Sequence, residues 1–162
     1  MELTTLDAID LQLLDLLQRD AAQSNQALAQ QVHVSAPTCL RRIKRLHTDG
    51  LIERQVALLQ PDRLAALQGH GLSAIVEVTL DRQGAEWLDG FEARAVAEDC
   101  VQQCWRVSPG PDFMLVVHTR DMPGYLALSQ RLFTDDANVR NVKAFFATRR
   151  AKFETKVPLA LT

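Results

Sequence analysis

The hydrophobic period of this 162-residue chain changes near residue 70, and few folds accommodate both halves. Before that point apolar side chains recur every three or four residues. Leu6, Ile9, Leu13, Leu16 and Leu17 share one helical face, with Asp7, Asp10 and Asp15 on the other. Ser24 or Asn25 can cap a short second helix, Gln26 to Val32, that turns Leu28, Ala29 and Val32 inward. Ser35 and Pro37 open a third helix with the stripe Leu40, Ile43 and Leu46, and with Cys39 as a further core residue; Gly50 closes it. Leu51 to Leu59 alternates loosely and predicts one or two strands. Pro61 interrupts, and a turn of helix from Asp62 to Leu67 leads into Gln68-Gly69-His70-Gly71.

Beyond the change, Leu72, Ala74, Val76, Val78 and Leu80 alternate, as in a strand from His70 to Leu80 with one covered face. Gly84 to Asp99 returns to helical spacing, with Trp87, Leu88, Phe91, Ala95 and Val96 directed at a sheet. Val101–Val107 and Phe113–His118 predict two strands joined by a turn rich in proline and glycine, Ser108 to Asp112. Asp121 to Phe133 predicts a second helix, and Val139 to Phe146 a last strand. The order β-α-β-β-α-β is the split βαβ arrangement. The expectation is an α+β chain: a winged helix-turn-helix over 1–60, a linker over 61–71, and a ferredoxin-like βαββαβ domain over 72–162.

Charge is sorted along the first half. The formal net charge is only -2, yet residues 36–54 hold five Lys or Arg against two acids, whereas residues 1–20 hold five acids and one Arg. A recognition helix entering the major groove needs cations for phosphates and hydrogen-bonding or apolar side chains for base edges. The exposed candidates are Pro37, Thr38, Arg41, Arg42, Lys44 and Arg45, with Arg54 beyond the helix; Ser35 reads as a cap and His47 as a surface residue. The plainer reading is a solvated helix face. Three short helices followed by a strand pair favour DNA.

Other function classes lack their parts. There is no P-loop, no G-x-G-x-x-G, no H-E-x-x-H and no nucleophile elbow, so the sequence predicts no enzyme and no catalytic residues. "DFMLVVHT" has one aromatic and no basic run of the kind RNA-recognition strands need. Cys39, Cys100 and Cys104 are odd in number and lack C-x-x-C spacing, which argues for reduced thiols and against a metal site or cofactor. No stretch approaches the roughly 18 uninterrupted apolar residues of a membrane span, and the start has no basic, then apolar, leader. The expectation is a cytoplasmic protein with no membrane partner.

"LDAIDLQLLDLLQRDA", "NQALAQQVHVSAPTCLRRIKRLHTDGLI", "RVSPGPDFMLVVHTRDMPGY" and "NVRNVKAFFATRRAKFETKVPL" together resemble the Lrp/AsnC regulators nearly end to end. The resemblance implies double-stranded DNA as a partner, a homodimer assembling to a tetramer or octamer, and a small effector, usually an amino acid, bound between dimers. It implies an effector site at Ser108, Gly110 and Asp112 in the loop after the second strand, at Asp121, and on the last strand from Phe145 to Ala147. Asp112 or Asp121 could take an ammonium group, loop N–H groups a carboxylate, and Met114, Phe145 or Phe146 an apolar side chain. The plainer reading makes the loop a hairpin turn and the aromatics sheet core. Relatives usually carry Gly directly after the loop Ser or Thr, whereas this chain has Pro109, which lacks an N–H to offer a carboxylate. The alternative function is an amino-acid-sensing module without DNA binding.

Overall fold

In the computed structural model, which describes residues 5–69 and 71–160, helix α1 (Ala8–Arg19) opens on a reciprocal cap. The Asp7 carboxylate accepts from the Asp10 N–H at 2.9 Å, and the Asp10 carboxylate accepts from the Asp7 N–H at 3.2 Å. Ser24 caps α2 (Asn25–Gln31), and Ser35 caps α3 (Ala36–Thr48), which carries Pro37 in its first turn. Gly50, at φ 72°, follows α3 in the left-handed conformation that glycine tolerates best. Between α2 and α3 the chain turns through His33, which holds φ 55° without being glycine.

The core of this unit is small: Leu13, Leu28, Ala29, Val32, Cys39 and Leu46 are buried, with Ile9, Leu16 and Ile43 partly so around them. Of the expected α3 core residues, Cys39, Ile43 and Leu46 face inward and Leu40 does not. Cys39 is fully buried while Leu40 is 46% exposed, because positions 39, 43 and 46 share the face turned to α1 and α2 and position 40 lies across the helix from Leu46's side. The expected strands of 51–59 are absent; residues 53–60 have no regular secondary structure, and Val56, Leu58 and Leu59 are exposed. A strand needs a neighbour for its backbone groups, and none pairs with this segment among the described residues.

Two compact units divide the chain, one running up to Leu58 and taking back the residues from Lys152, the other Leu59–Ala151. The terminal stretch, expected in the ferredoxin-like domain, thus groups with the helices. Gln18 explains part of this. Its amide accepts from the Val157 N–H at 2.6 Å and donates to the Val157 carbonyl at 3.2 Å, while Lys156 pairs with Asp15 at 2.6 Å. The expected linker also contains a helix, α4 (Pro61–Gln68).

The second unit follows the predicted order: β1 (Leu72–Leu80), α5 (Ala85–Ala97), β2 (Val101–Arg106), β3 (Phe113–Thr119), α6 (Met122–Ser129) with one π-helical turn (Gln130–Thr134), and β4 (Val139–Phe146). His70, where the first strand was expected to begin, lies outside the described residues. The sheet order is β2-β3-β1-β4 and every neighbouring pair is antiparallel. Alternation puts Ala74, Val76, Val78 and Leu80 of β1 and Phe113, Leu115 and Val117 of β3 under the helices, where they meet Phe91, Ala95, Tyr125, Leu128, Leu132 and Phe133. Phe91 and Phe113 have ring centroids 4.8 Å apart. Trp87 and Val96 depart from the expected inward face: Arg82 stacks over the Trp87 ring at 4.8 Å, and Val96 is exposed.

Candidate nucleic-acid interface and effector site

The basic cluster of α3 separates into two kinds of arginine. Arg42, its side chain 21% exposed, reaches back to α1 and donates through Nη1 to Asp7 Oδ2 at 2.7 Å and to Asp10 Oδ1 at 2.8 Å. Arg45 donates from Nη2 to the other Asp10 oxygen at 2.5 Å but stays 42% exposed. Asp10 is 1% exposed, so its charge is taken up by these two guanidiniums and its cap bond. The pairing moves both sides: the Asp10 N–H, then Arg42, hold the Asp7 carboxyl below the ordinary aspartate range, and Asp10, then Asp7, push the Arg42 guanidinium up.

Arg42, one of the residues expected on the DNA face, is paired at the α1–α3 junction, with its Nε buried and lacking an acceptor among the described residues. Arg41, Lys44 and Pro37 are exposed, and Arg41 shares an open cleft with Arg42 and Arg45. The Thr38 hydroxyl lies 2.9 Å from that of Ser35. Arg54 sits in the irregular segment beyond α3, 3.8 Å from Glu53, both strongly exposed. On α3 periodicity misassigned Leu40: it is exposed between Pro37 and Lys44 and gives this face an apolar point of contact.

The six expected effector residues fall into two groups. The turn between β2 and β3 holds Ser108 and Gly110, the latter at φ 125°. Asp112 closes this turn: its N–H donates to the Val78 carbonyl at 2.9 Å and its carboxylate accepts from the Leu80 N–H at 2.7 Å. Asp121 follows the other end of β3 and caps α6, accepting from the Gly124 N–H at 2.8 Å. Phe145, opposite Ile75, and Ala147, whose N–H donates to Ser73, sit at that same far end. Since β3 pairs Phe113 with Val78 and Thr119 with Leu72, the two groups are separated by the length of the strand, roughly 20 Å at 3.3–3.4 Å per residue. Within one chain they do not form one pocket.

The sheet face away from the helices is open. Ile75, Trp105 and Phe145 are exposed there, Val116 and Met114 lie between them, and Lys143 reaches Glu77 at 3.7 Å. The cysteines make no disulfide: Cys39 is buried, and Cys100 and Cys104 are half-buried against the sheet core, where burial pushes all three thiols up. Among the described residues no three His, Cys, Asp or Glu side chains gather as metal ligands, and no helix is long and apolar enough to cross a membrane.

A helix-turn-helix with a basic third helix, joined to a ferredoxin-like domain, is an architecture of the DNA-binding regulator class. Comparison with known proteins agrees. Residues 6–47 match the AsnC-type helix-turn-helix domain and residues 73–157 the Lrp/AsnC ligand binding domain, and the chain belongs to the Lrp/AsnC family of transcriptional regulators. It is 34% identical to the DNA-binding transcriptional activator DecR of Escherichia coli K12 over 95% of this chain and 99% of that protein. Its fold superposes on an AsnC family regulator from Agrobacterium tumefaciens with a TM-score of 0.82, at 29% identity over 94% and 97% of the two chains. The transcriptional regulator NMB0573 of Neisseria meningitidis, solved as a complex with L-Met, also gives 0.82, at 26% identity over 96% and 98%.

Proposed function

We propose that this regulator reads duplex DNA with the outer face of α3 and that an apolar amino acid, bound between copies of the chain, controls its assembly or its grip on DNA. The observation that carries the first part is the division of the basic cluster: Arg41 and Lys44 are exposed while Arg42 is spent on α1. Arg41, Lys44 and Thr38 would meet phosphates or base edges, Pro37 and Leu40 would offer apolar contact to a thymine methyl, and Arg54 would reach the backbone beside the groove. A dimer would present two such helices to half-sites about 34 Å apart.

A second copy is the natural cover for the open sheet face with Trp105, Ile75 and Phe145, since apolar patches of this kind rarely remain exposed. The tetramer or octamer implied by the family resemblance would follow from further contacts. Separation of Ser108, Gly110 and Asp112 from Asp121, Phe145 and Ala147 favours an effector site completed by another copy. The neisserial relative with L-Met supports an amino acid as ligand. Because Asp112 and Asp121 already serve backbone N–H groups, the ammonium would have to share their second oxygen. Such a regulator works in the cytoplasm, with the DNA.

The test combines a panel of free amino acids, read by thermal shift, with sizing and DNA binding with and without each hit. A shift by methionine, leucine or a related apolar amino acid, accompanied by altered size or DNA affinity, is the expected result. A ligand that stabilises the protein and changes neither would separate sensing from regulation.

A further inference from the structure

Asp10 is an odd residue to keep beneath a helix that must approach phosphates, since its charge repels them. Its two oxygens divide the work: Oδ1 faces Arg42 and Oδ2 faces Arg45. Arg42 is also bound by Asp7, which leaves it turned inward. Arg45 is different. Its contact with Asp10 runs through Nη2, and the side chain remains 42% exposed, lining the same cleft as Arg41.

A guanidinium offers five N–H donors in a rigid fork, so one edge can bind a carboxylate while another faces an oxyanion. We infer that Asp10 is a positioning residue for DNA binding: it grips Arg45 by Nη2 so that the free edge of that guanidinium, with Arg41, receives one backbone phosphate. The inference rests on α3 being the DNA-facing helix and names the group that orients one of its contacts. An arginine already held in place loses less side-chain freedom on binding than a free one.

Two effects of Asp10 on DNA have opposite sign, and this makes the idea testable. As a bare charge Asp10 opposes binding, so Asp10→Asn would tighten it; as a positioning residue it supports binding, so the same change weakens it. A labelled duplex chosen by the wild-type protein from a random pool, titrated over a range of salt, is the assay. Asp10→Asn is expected to bind about tenfold more weakly, with a salt slope shallower by about one because one phosphate contact is lost. In an Arg45→Ala background Asp10→Asn should cause no further weakening. Arg45→Lys keeps the charge but cannot serve both partners with a planar fork, and is also expected to lose about tenfold.

Tighter binding by Asp10→Asn, or wild-type affinity and slope in Arg45→Lys, would overturn the inference. Circular dichroism and sizing show whether Asp10→Asn is folded; if it is not, Arg45→Lys against Arg45→Ala decides, with equal losses expected and a Lys variant that binds like wild type opposing. A wild-type protein that selects no duplex at all removes the DNA-binding reading itself, a result distinct from failure of the positioning role alone.

Discussion

In the helical unit a buried acid holds guanidiniums across two helices; in the sheet unit the acids nearest the strand ends hold backbone N–H groups. Asp7 and Asp10 clamp Arg42 and Arg45 across two helices, whereas Asp112 and Asp121 tie loop ends to Leu80 and Gly124. The difference follows from core size. Among the described residues, six apolar residues, Leu13, Leu28, Ala29, Val32, Cys39 and Leu46, are buried in the first unit's cluster, against thirteen in that of the second. With so little apolar area to fix helix orientation, a directional charge cluster sets how α3 lies on α1. The sheet has its ladder and a large apolar face for that purpose; Asp112 and Asp121 finish a strand and a helix end, while its other acids, such as Glu98 with Arg131 and Glu92 with Arg106, form exposed pairs.

The sharpest way to break this contrast is to exchange scaffold and surface arginines on α3. Arg42→Ala leaves Asp7 without its guanidinium partner and Asp10 with Arg45 alone. Losing one partner of a buried pair costs about 3–5 kcal/mol, and the surviving Arg45 contact should reduce this to about 2–3 kcal/mol. Arg41→Ala should leave stability within about 0.5 kcal/mol yet weaken DNA binding and lower the salt slope by about one. Thermal unfolding and salt-dependent DNA titration of the two variants check this. An Arg42→Ala protein as stable as wild type would show that the helical unit does not depend on its ion cluster.

A smaller effect is expected from the sheet acids. Asp112→Ala removes the acceptor of the Leu80 N–H at a part-buried site, worth about 1–3 kcal/mol, and Asp121→Ala removes a helix cap, worth about 1 kcal/mol. If either carboxylate also binds the effector ammonium, the ligand-induced thermal shift falls by more than this baseline loss. Asp121→Asn then discriminates: it retains a capping oxygen but not the charge, so it should keep the stability of the free protein and lose the ligand response. A response equal to wild type would confine Asp121 to its cap.

The contrast also explains how far the residues could be read in advance. Periodicity of two placed Ala74, Val76, Val78 and Leu80 correctly because a strand's inward face is set by its pleat, and Ser24 and Ser35 announced their helices by local chemistry. Arg42 was illegible for a different reason: a guanidinium bound for phosphate and one bound for aspartate look alike, and the partner lies more than thirty residues away. One clue was present, since Asp7 and Asp10 stand three apart on α1 and can face one arginine together. Leu40 was misplaced, whereas Cys39, Ile43 and Leu46 lie inward as expected, because an inward stripe on a short helix is narrow enough to leave one edge position outside. The segment 51–59 alternates as a strand should, but alternation does not supply the neighbouring strand.

The smallest expected effect concerns acid, and it again sets the two kinds of pairing apart. Hydrogen bonding from Lys156, with Arg19 nearby, holds the Asp15 carboxyl below its ordinary value near 3.8 despite the opposing effect of burial. A carboxyl lowered in the folded state contributes stability that is fully present above the unfolded value and is lost as pH falls below it towards the folded value. Asp7 behaves in the same sense. The helical unit should therefore soften as pH falls below about 3.8. Lys156→Met removes the partner of Asp15 and brings its folded pKa nearer the unfolded one, so the variant should be slightly less stable at neutral pH and should lose less on acidification. Unfolding curves at pH 7 and at pH 3 should bring variant and wild type closer together at the lower pH. A constant gap between them at both values would mean that Lys156 acts through its alkyl chain on α1 and that its charge is idle.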